Sequence, residues 1–444
     1  MSYEVGKILI KKKQFKHALK YFQTLLKHKP DDLRINFQMG KIFYELNDLH
    51  KSFTYFKKCK DIKQNDTNIL FNYALVLQNI GKIKEAEKEY LNLISINPKD
   101  IKSYYGLSVL NINNIDTGLY NKLRLLNESE DITLYEKSLI NFIFSKLEKK
   151  KQDLKKEIKY LQISHQLCNK ANDLFNIQSN FYYKNIISRK FNKIKFEKDH
   201  EINEKFNYGN HIFIIGLPRS GSTLVETIIS HNQKDIVSVG EFHGINTSIL
   251  EQIGETIYSK NFNYKNFQLT INKKKFQQSL VEKYDNFEQK IFLDKSLENF
   301  FNIDLILKFF PNAKFIHTYR NFHDAVIGIY QTMLPELSWS HKIEDIINYI
   351  KIYKDTINYF QKKYPNSIID IDLSVLTNQK ESETRKILEF CKIKYNENYL
   401  DFEKNDKLYN KTNSFLQVRK KIKNYEINKY KSYYYLLEKN EYLK

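Results

Sequence analysis

Cysteine is nearly absent. The three present in 444 residues, Cys59, Cys168 and Cys391, are too far apart and too unpatterned to frame a disulfide scaffold or a zinc site. No apolar run is long enough to cross a bilayer, and the start, Met1-Ser2-Tyr3-Glu4-Val5, has no basic-then-apolar leader, so a reducing cytoplasmic setting is expected. A lysine is missing as well. Gly216 and Gly221 have the Gly-x-x-x-x-Gly spacing of a nucleoside-triphosphate loop, but the next position is Ser222, which argues against an ATP- or GTP-consuming enzyme. Acidic residues number 52 against 72 lysines and arginines, a net charge of +20 that would attract polyanions. Lysine, asparagine, isoleucine and tyrosine are abundant throughout, however, so the charge is a general bias rather than a basic stripe and predicts no nucleic-acid partner. A positive field still favours a small, highly anionic substrate.

The chain is longer than a single core usually grows, and two domains are expected. Its N-terminal part repeats every 34 residues: Gly6, Gly40 and Ala74; Ala18, Ser52 and Ala86; Phe22, Phe56 and Tyr90, with Pro30 and Pro98 ending the first and third units. That period is the length of a tetratricopeptide unit. Small residues let paired helices approach, and because one unit cannot bury its own apolar face, three stacked units with a helical cap predict a short solenoid with a concave groove. Ser108 continues the register towards a fourth unit. Residues 111–205 lose it; helical patterns over 135–147 and 158–167 and a lysine-rich stretch at 146–156 read as an irregular helical bridge with a solvated face. The expected divisions are therefore 1–110, 111–205 and 206–444.

The third division opens on a distinctive segment. Ile212 to Ile215 suit a strand buried on both faces, and Leu224, Val225, Ile228 and Ile229 have helical spacing. Between them, the amides of Arg219 to Thr223 would point out of a helix N-terminus, where unpaired N–H groups and the dipole favour an anion. Arg219 adds a planar fork of donors; Ser220, Ser222 and Thr223 add hydroxyls. An ordinary strand-to-helix turn with capping serines would read the same way, and the neighbouring segments decide between the two.

Pro218 to Thr223 resembles the Pro-Arg-Ser-Gly-Thr-Thr loop of the nucleotide-dependent sulfotransferases, apart from Ser222. Phe309-Phe310-Pro311-Asn312-Ala313-Lys314-Phe315-Ile316, ending at Arg320, resembles that family's second donor-binding strand. Ile291-Phe292-Leu293-Asp294-Lys295 resembles its Asp-Lys strand, and Asn413 to Lys420 its closing segment near the C-terminus. The order and the leading repeats resemble the subgroup with N-terminal tetratricopeptide repeats, whose catalytic half is similar to protein-tyrosine sulfotransferases.

The resemblance implies an all-α repeat solenoid followed by an α/β domain of P-loop type, with a mostly parallel sheet and the donor at the C-terminal strand ends. It implies 3′-phosphoadenosine 5′-phosphosulfate (PAPS) as donor, the bisphosphate PAP as product, and no metal. By the same resemblance Arg219, Ser220, Gly221, Ser222 and Thr223 hold the 5′-phosphosulfate, Arg320 and Ser414 the 3′-phosphate, and Arg419 belongs to the closing segment. Lys295 lies beside the transferring group, and Glu241, after Gly240, is the base, with His243 as its rival. Three positions depart from the family pattern: Gly328 stands for a phosphate-binding serine, Asn321 for an aspartate and Leu373 for a tyrosine. The acceptor hydroxyl is left open between a peptide tyrosine recruited by the repeats, a glycan and a small molecule. Two other classes also stand: a kinase-like enzyme using Asp294 with magnesium, and a repeat scaffold with an inactive nucleotide-binding domain.

Overall fold

The computed structural model describes residues 2–12, 14–197, 210–230, 235–259, 262–284, 291–395 and 422–438. They form two compact units that divide after Asn172. The first is entirely helical: α1 (Tyr3–Lys11), α2 (Phe15–His28), α3 (Leu33–Glu45), α4 (Leu49–Ile62), α5 (Thr67–Ile80), α6 (Ile83–Ile96), α7 (Ile101–Leu110), α8 (Thr117–Glu128), α9 (Leu134–Lys150) and α10 (Leu154–Ala171). Side chains of Asp32, Asp48 and Asp66 accept backbone N–H bonds at the starts of α3, α4 and α5, satisfying amides that a helix cannot pair internally.

The 34-residue register is a packing rule. A Cβ added at Gly6 would lie 2.3 Å from the Phe22 ring, and one at Gly40 would lie 2.9 Å from that of Phe56. Each aromatic thus fills the space left by a glycine on the preceding helix, which is why both residue types recur together. Tyr90 makes the same contact with Gly106 of α7, 2.5 Å from a Cβ there. Ser52 adds a hydrogen bond to the Gly40 carbonyl at 2.8 Å. Beyond α7 the pairing pattern gives way to a short 3-10 turn, Ile112–Asn114, and then to the α9–α10 pair, which Ser164 joins by bonding the Ser138 carbonyl at 2.8 Å. The lysine-rich stretch spans the turn of this pair, with Lys151 on Glu148 at 2.7 Å and Lys156 on Asp153 at 2.9 Å.

The second unit begins with α11 (Asp173–Phe181), which runs through a π-helical stretch, Tyr182–Ile187, into α12 (Ser188–Lys190). A two-residue strand β1 (Lys195–Phe196) pairs in parallel with β4 (Thr270–Ile271). The main sheet contains β2 (His211–Gly216), β3 (Ile236–Gly240), β5 (Ile291–Asp294), β6 (Lys314–Tyr319) and β7 (Ile368–Asp372), all parallel, in the order β3-β5-β2-β6-β7. All six residues of the central strand β2 are buried, as its unbroken apolar run predicts.

Connecting helices are α13 (Ser222–Ser230), α14 (Gly244–Ile257), α15 (Lys273–Tyr284), α16 (Ile303–Phe309), α17 (Phe322–Tyr330), α18 (Ile343–Lys363), α19 (Leu373–Asn378), α20 (Lys380–Phe390) and α21 (Tyr435–Glu438). Because every strand of the main sheet points the same way, the residues following Gly216, Gly240, Asp294, Tyr319 and Asp372 all emerge along one edge. Helices first and a parallel sheet second is the architecture expected from the sequence. Among the described residues no helix is long and apolar enough to cross a membrane, and the three cysteines are buried and outside any disulfide.

Candidate active site

The loop after β2 is shaped by three positive-φ positions. Gly216 (φ 144°) lies against β6 so closely that a Cβ would meet the Thr318 carbonyl oxygen at 2.3 Å. Gly221 (φ 94°) is covered by Leu373, whose Cδ1 would lie 2.6 Å from a Cβ. Arg219 is not glycine yet sits at φ 66°, a conformation costing an L-residue roughly 1–2 kcal/mol. Such strain persists only where the surroundings enforce it. Ser220 supplies part of the enforcement: its buried hydroxyl donates to the Leu217 carbonyl at 2.6 Å and lies 2.9 Å from Thr318 Oγ1, tying the loop to β6. Its proton is thus engaged in shaping the loop. Ser222 and Thr223 form the first turn of α13.

At the ends of β3 and β5 the structure brings Glu241 and Lys295 together, Nζ to Oε1 at 2.7 Å. The Lys295 side chain is fully buried, and its Nζ also pairs with Glu226 Oε2 at 3.5 Å. Glu226 in turn accepts the Ser238 hydroxyl at 2.6 Å. Burial alone would pull the lysine pKa down; the Glu241 and Glu226 carboxylates outweigh it and hold the pKa above its ordinary value. Asp294 beside it is fully buried, and burial pushes its carboxyl up to about 6, with the Glu298 charge adding to the rise and two hydrogen bonds from Ser296 opposing it.

His243 sits at φ 53° as the residue before α14, its N–H bonded to Ser296 Oγ at 2.7 Å and its Nδ1 to Glu298. The Glu298 charge raises the imidazole to about 9 against the opposing effect of burial. At neutral pH His243 is therefore a cation without an acceptor nitrogen. Of the two candidate bases, geometry and charge favour Glu241, which is also 47 % exposed and reachable.

At the ends of β2 and β6 a second pair meets: Arg320 Nη1 donates to the Arg219 carbonyl at 2.9 Å. The Arg320 side chain is only 6 % exposed, and its Nη2 faces Tyr425 Oη and, at 3.6 Å, Asp324 Oδ2. Asp324 is fully buried and accepts further bonds from Tyr425 and, at 2.7 Å, from Tyr434. Arg320 Nε is buried with no hydrogen-bond partner among the described residues. Burial holds the Arg219 guanidinium below its ordinary pKa, and the neighbouring Arg320 charge acts in the same direction. Two guanidiniums close to one another beside a buried donor that lacks an acceptor make a site suited to an anion.

Gly328 lies against this pair: a Cβ there would be 3.4 Å from Arg320 Nη1 and 3.7 Å from Arg219 Cβ. The sheet order puts the two pairs on adjoining strand ends, β3 and β5 beside β2 and β6. Sequence reading missed Glu226, Asp324, Tyr425 and Tyr434. A carboxylate on the loop's own helix, amid Val225, Ile228 and Ile229, was the available sign for Glu226. Ser414 and Arg419 lie outside the described residues.

Residues 211–397 match the profile of the sulfotransferase family, and residues 33–66 and 67–100 each match a tetratricopeptide repeat. An uncharacterized protein of Aquifex aeolicus (strain VF5) is 25 % identical over 413 residues, covering 89 % of this chain and 52 % of its own length, so the chain spans about half of that curated relative. A sulfotransferase of Mycobacterium tuberculosis H37Rv is similar in structure with a TM-score of 0.33 and 11 % identity, over 64 % of this chain and 90 % of that one. Residues 33–100 thus carry two tetratricopeptide repeats, and residues 211–397 a domain that matches the sulfotransferase family.

Proposed function

We propose that this chain transfers a sulfuryl group from PAPS to an acceptor hydroxyl. The observation that carries the reading is the pairing of Lys295 with Glu241 and of Arg219 with Arg320 along one strand edge of a sulfotransferase-family domain. PAPS supplies an SO₃ group on a phosphate: a bond forms from the acceptor oxygen to sulfur, the sulfur–phosphate oxygen bond breaks with its electron pair leaving on the phosphate, and the acceptor proton goes to a base. Arg219, the loop amides around Gly221 and the hydroxyls of Ser222 and Thr223 would hold the 5′-side, with Ser220 keeping the loop in shape. Arg320 would bind the 3′-phosphate through its Nε, which has no partner among the described residues, while Tyr425 and Asp324 hold the edge at Nη2. Ser414 and Arg419 join that group on resemblance alone. Lys295 neutralises charge on the leaving oxygen, and Glu241 takes the proton. Positive side chains supply the electrostatic stabilisation, so the reading requires no metal.

In this reading residues 1–110 recruit or orient the acceptor, 111–205 connect, and 206–444 perform the transfer in the cytoplasm. Calorimetric titration with adenosine 3′,5′-bisphosphate in EDTA, beside ATP with magnesium, tests it. Metal-independent bisphosphate binding that disappears in Arg320→Ala supports the reading. Binding of ATP with magnesium alone would replace it with the kinase-like reading through Asp294, and binding of neither would favour the repeat scaffold.

A further inference from the structure

We infer that Glu226 is a positioning residue: the permanent counter-ion that keeps Lys295 charged and in place while Glu241 changes partner and protonation state. The inference rests on the reading of Lys295 as the group facing the leaving oxygen. Lys295 has no exposure through which water could solvate its ammonium, so its charge depends on carboxylates within reach. Two contact it, and they differ in kind. Glu241 is 47 % exposed, follows the end of β3 and bonds Nζ at 2.7 Å. Glu226 is 10 % exposed, sits on α13 and is anchored by the Ser238 hydroxyl of β3 at 2.6 Å, with Nζ at the longer distance of 3.5 Å.

A base must let go of the lysine to reach an acceptor, and it becomes neutral once it has taken the proton. With Glu241 as sole partner, the buried ammonium would lose its counter-charge at the moment it has to meet growing negative charge. Removing one member of a buried pair leaves the other charge uncompensated, which is what a second, sealed carboxylate prevents. The other titratable groups nearby do not serve. Asp294 on β5 bonds the Ser296 backbone at 2.7 Å, and His243 and Glu298 are paired with each other. Among the described residues, the carboxylates paired with Nζ are Glu226 and Glu241.

Glu226→Gln keeps the shape and removes the charge; Glu226→Asp keeps the charge and shortens the reach. The readouts are slow hydrolysis of PAPS against pH and calorimetry of bisphosphate binding in two buffers of different ionisation enthalpy, which counts protons taken up. We expect Glu226→Gln to hydrolyse PAPS about tenfold more slowly or worse, and to move the alkaline limb of the profile down by about one pH unit. Its bisphosphate Kd should stay within about threefold at neutral pH. At alkaline pH its binding should take up a proton as Lys295 recharges, which wild-type binding does not do. Glu226→Asp should lie between the two. A wild-type limb and no proton uptake in Glu226→Gln, with wild-type hydrolysis present, would overturn the positioning role alone. Wild type that neither binds the bisphosphate nor hydrolyses PAPS would overturn the sulfotransferase reading and the role with it. If Glu226→Gln does not fold, a limb in Glu226→Asp that coincides with wild type counts against the role, and a lowered one supports it.

Discussion

Replacing Lys295 by methionine separates what the buried ammonium does for the fold from what it does for the reaction. Methionine fills a similar volume without the charge, so the change is electrostatic. Glu241, about half exposed, relaxes into water at little cost. Glu226 stays buried beside the missing ammonium, keeping the Ser238 bond. Breaking a buried ion pair by removing one partner costs about 3–5 kcal/mol, and with a 3.5 Å contact and one bond retained we expect about 2–3 kcal/mol here. The transition state loses a preorganised donor, an effect of about 10²–10³ in rate. Urea unfolding followed by the near-ultraviolet signal, together with PAPS hydrolysis, measures both. The decisive comparison is Lys295→Met/Glu226→Gln, in which the buried carboxylate is gone: stability should return while turnover stays lost. Hydrolysis within about threefold of wild type in Lys295→Met would refute the catalytic assignment, and a double variant no more stable than the single one would refute the electrostatic account of the pair.

Glu241→Gln should abolish PAPS-dependent transfer and leave bisphosphate affinity within about threefold, whereas His243→Asn should keep most of the turnover; the reverse pattern, read by steady-state kinetics and calorimetry, would move the base to His243. Gly328→Ser places a hydroxyl beside Arg320 Nη1, where a Cβ fits at 3.4 Å, and should tighten bisphosphate binding by about 0.5–1.5 kcal/mol, or two- to tenfold in Kd. Gly40→Ala forces a methyl to 2.9 Å from the Phe56 ring and should cost about 1–3 kcal/mol, while Gly254→Ala, with nothing within 4 Å, should be neutral or stabilising in the same urea titration. The His243–Glu298 pair raises the folded pKa of the imidazole above its unfolded value. Its contribution to stability is therefore full below the unfolded pKa of about 6.5 and lost as pH rises through about 9, and Glu298→Gln should flatten melting temperature over that window.

Parts of this molecule were legible in the sequence because their causes are local. Gly6 and Phe22, or Gly40 and Phe56, recur at one spacing because each aromatic ring needs the hole its glycine leaves. The loop from Gly216 to Gly221 was legible for a similar reason: an apolar strand, two glycines that here adopt positive φ, and a helix start follow one another directly. Arg219 was foreseen as a donor of charge, but its φ of 66° had no sign in the chain, since nothing about an arginine announces a left-handed backbone. Ser220 was expected among the anion-binding hydroxyls, while in the structure its proton goes to Leu217. Its second contact, 2.9 Å from Thr318 Oγ1, depends on where β6 comes to lie, almost a hundred positions further on.

A parallel sheet explains which site residues could be read and which could not. When every strand points the same way, whatever follows each strand is delivered to the same edge, so Glu241, Lys295 and Arg320, together with the loop holding Arg219, come to lie along one edge although they are spread over about a hundred residues. A reader needs to recognise only a strand and the residues after it. The groups that support them arrive by other routes: Glu226 and Asp324 from helices, Tyr425 and Tyr434 from the far end of the chain. Their side chains reach the site by helix phase and tertiary packing, which strand-end position does not encode. They are also the groups that set charge and orientation. Arg320 without Asp324 and the tyrosines, or Lys295 without Glu226, would be a buried cation with too little to hold it. In the proposed reading the motif residues locate the reaction, Glu226 keeps Lys295 charged and Asp324 keeps Arg320 oriented, so Glu226 and Asp324 are the positions at which activity should be lost while every motif residue is intact.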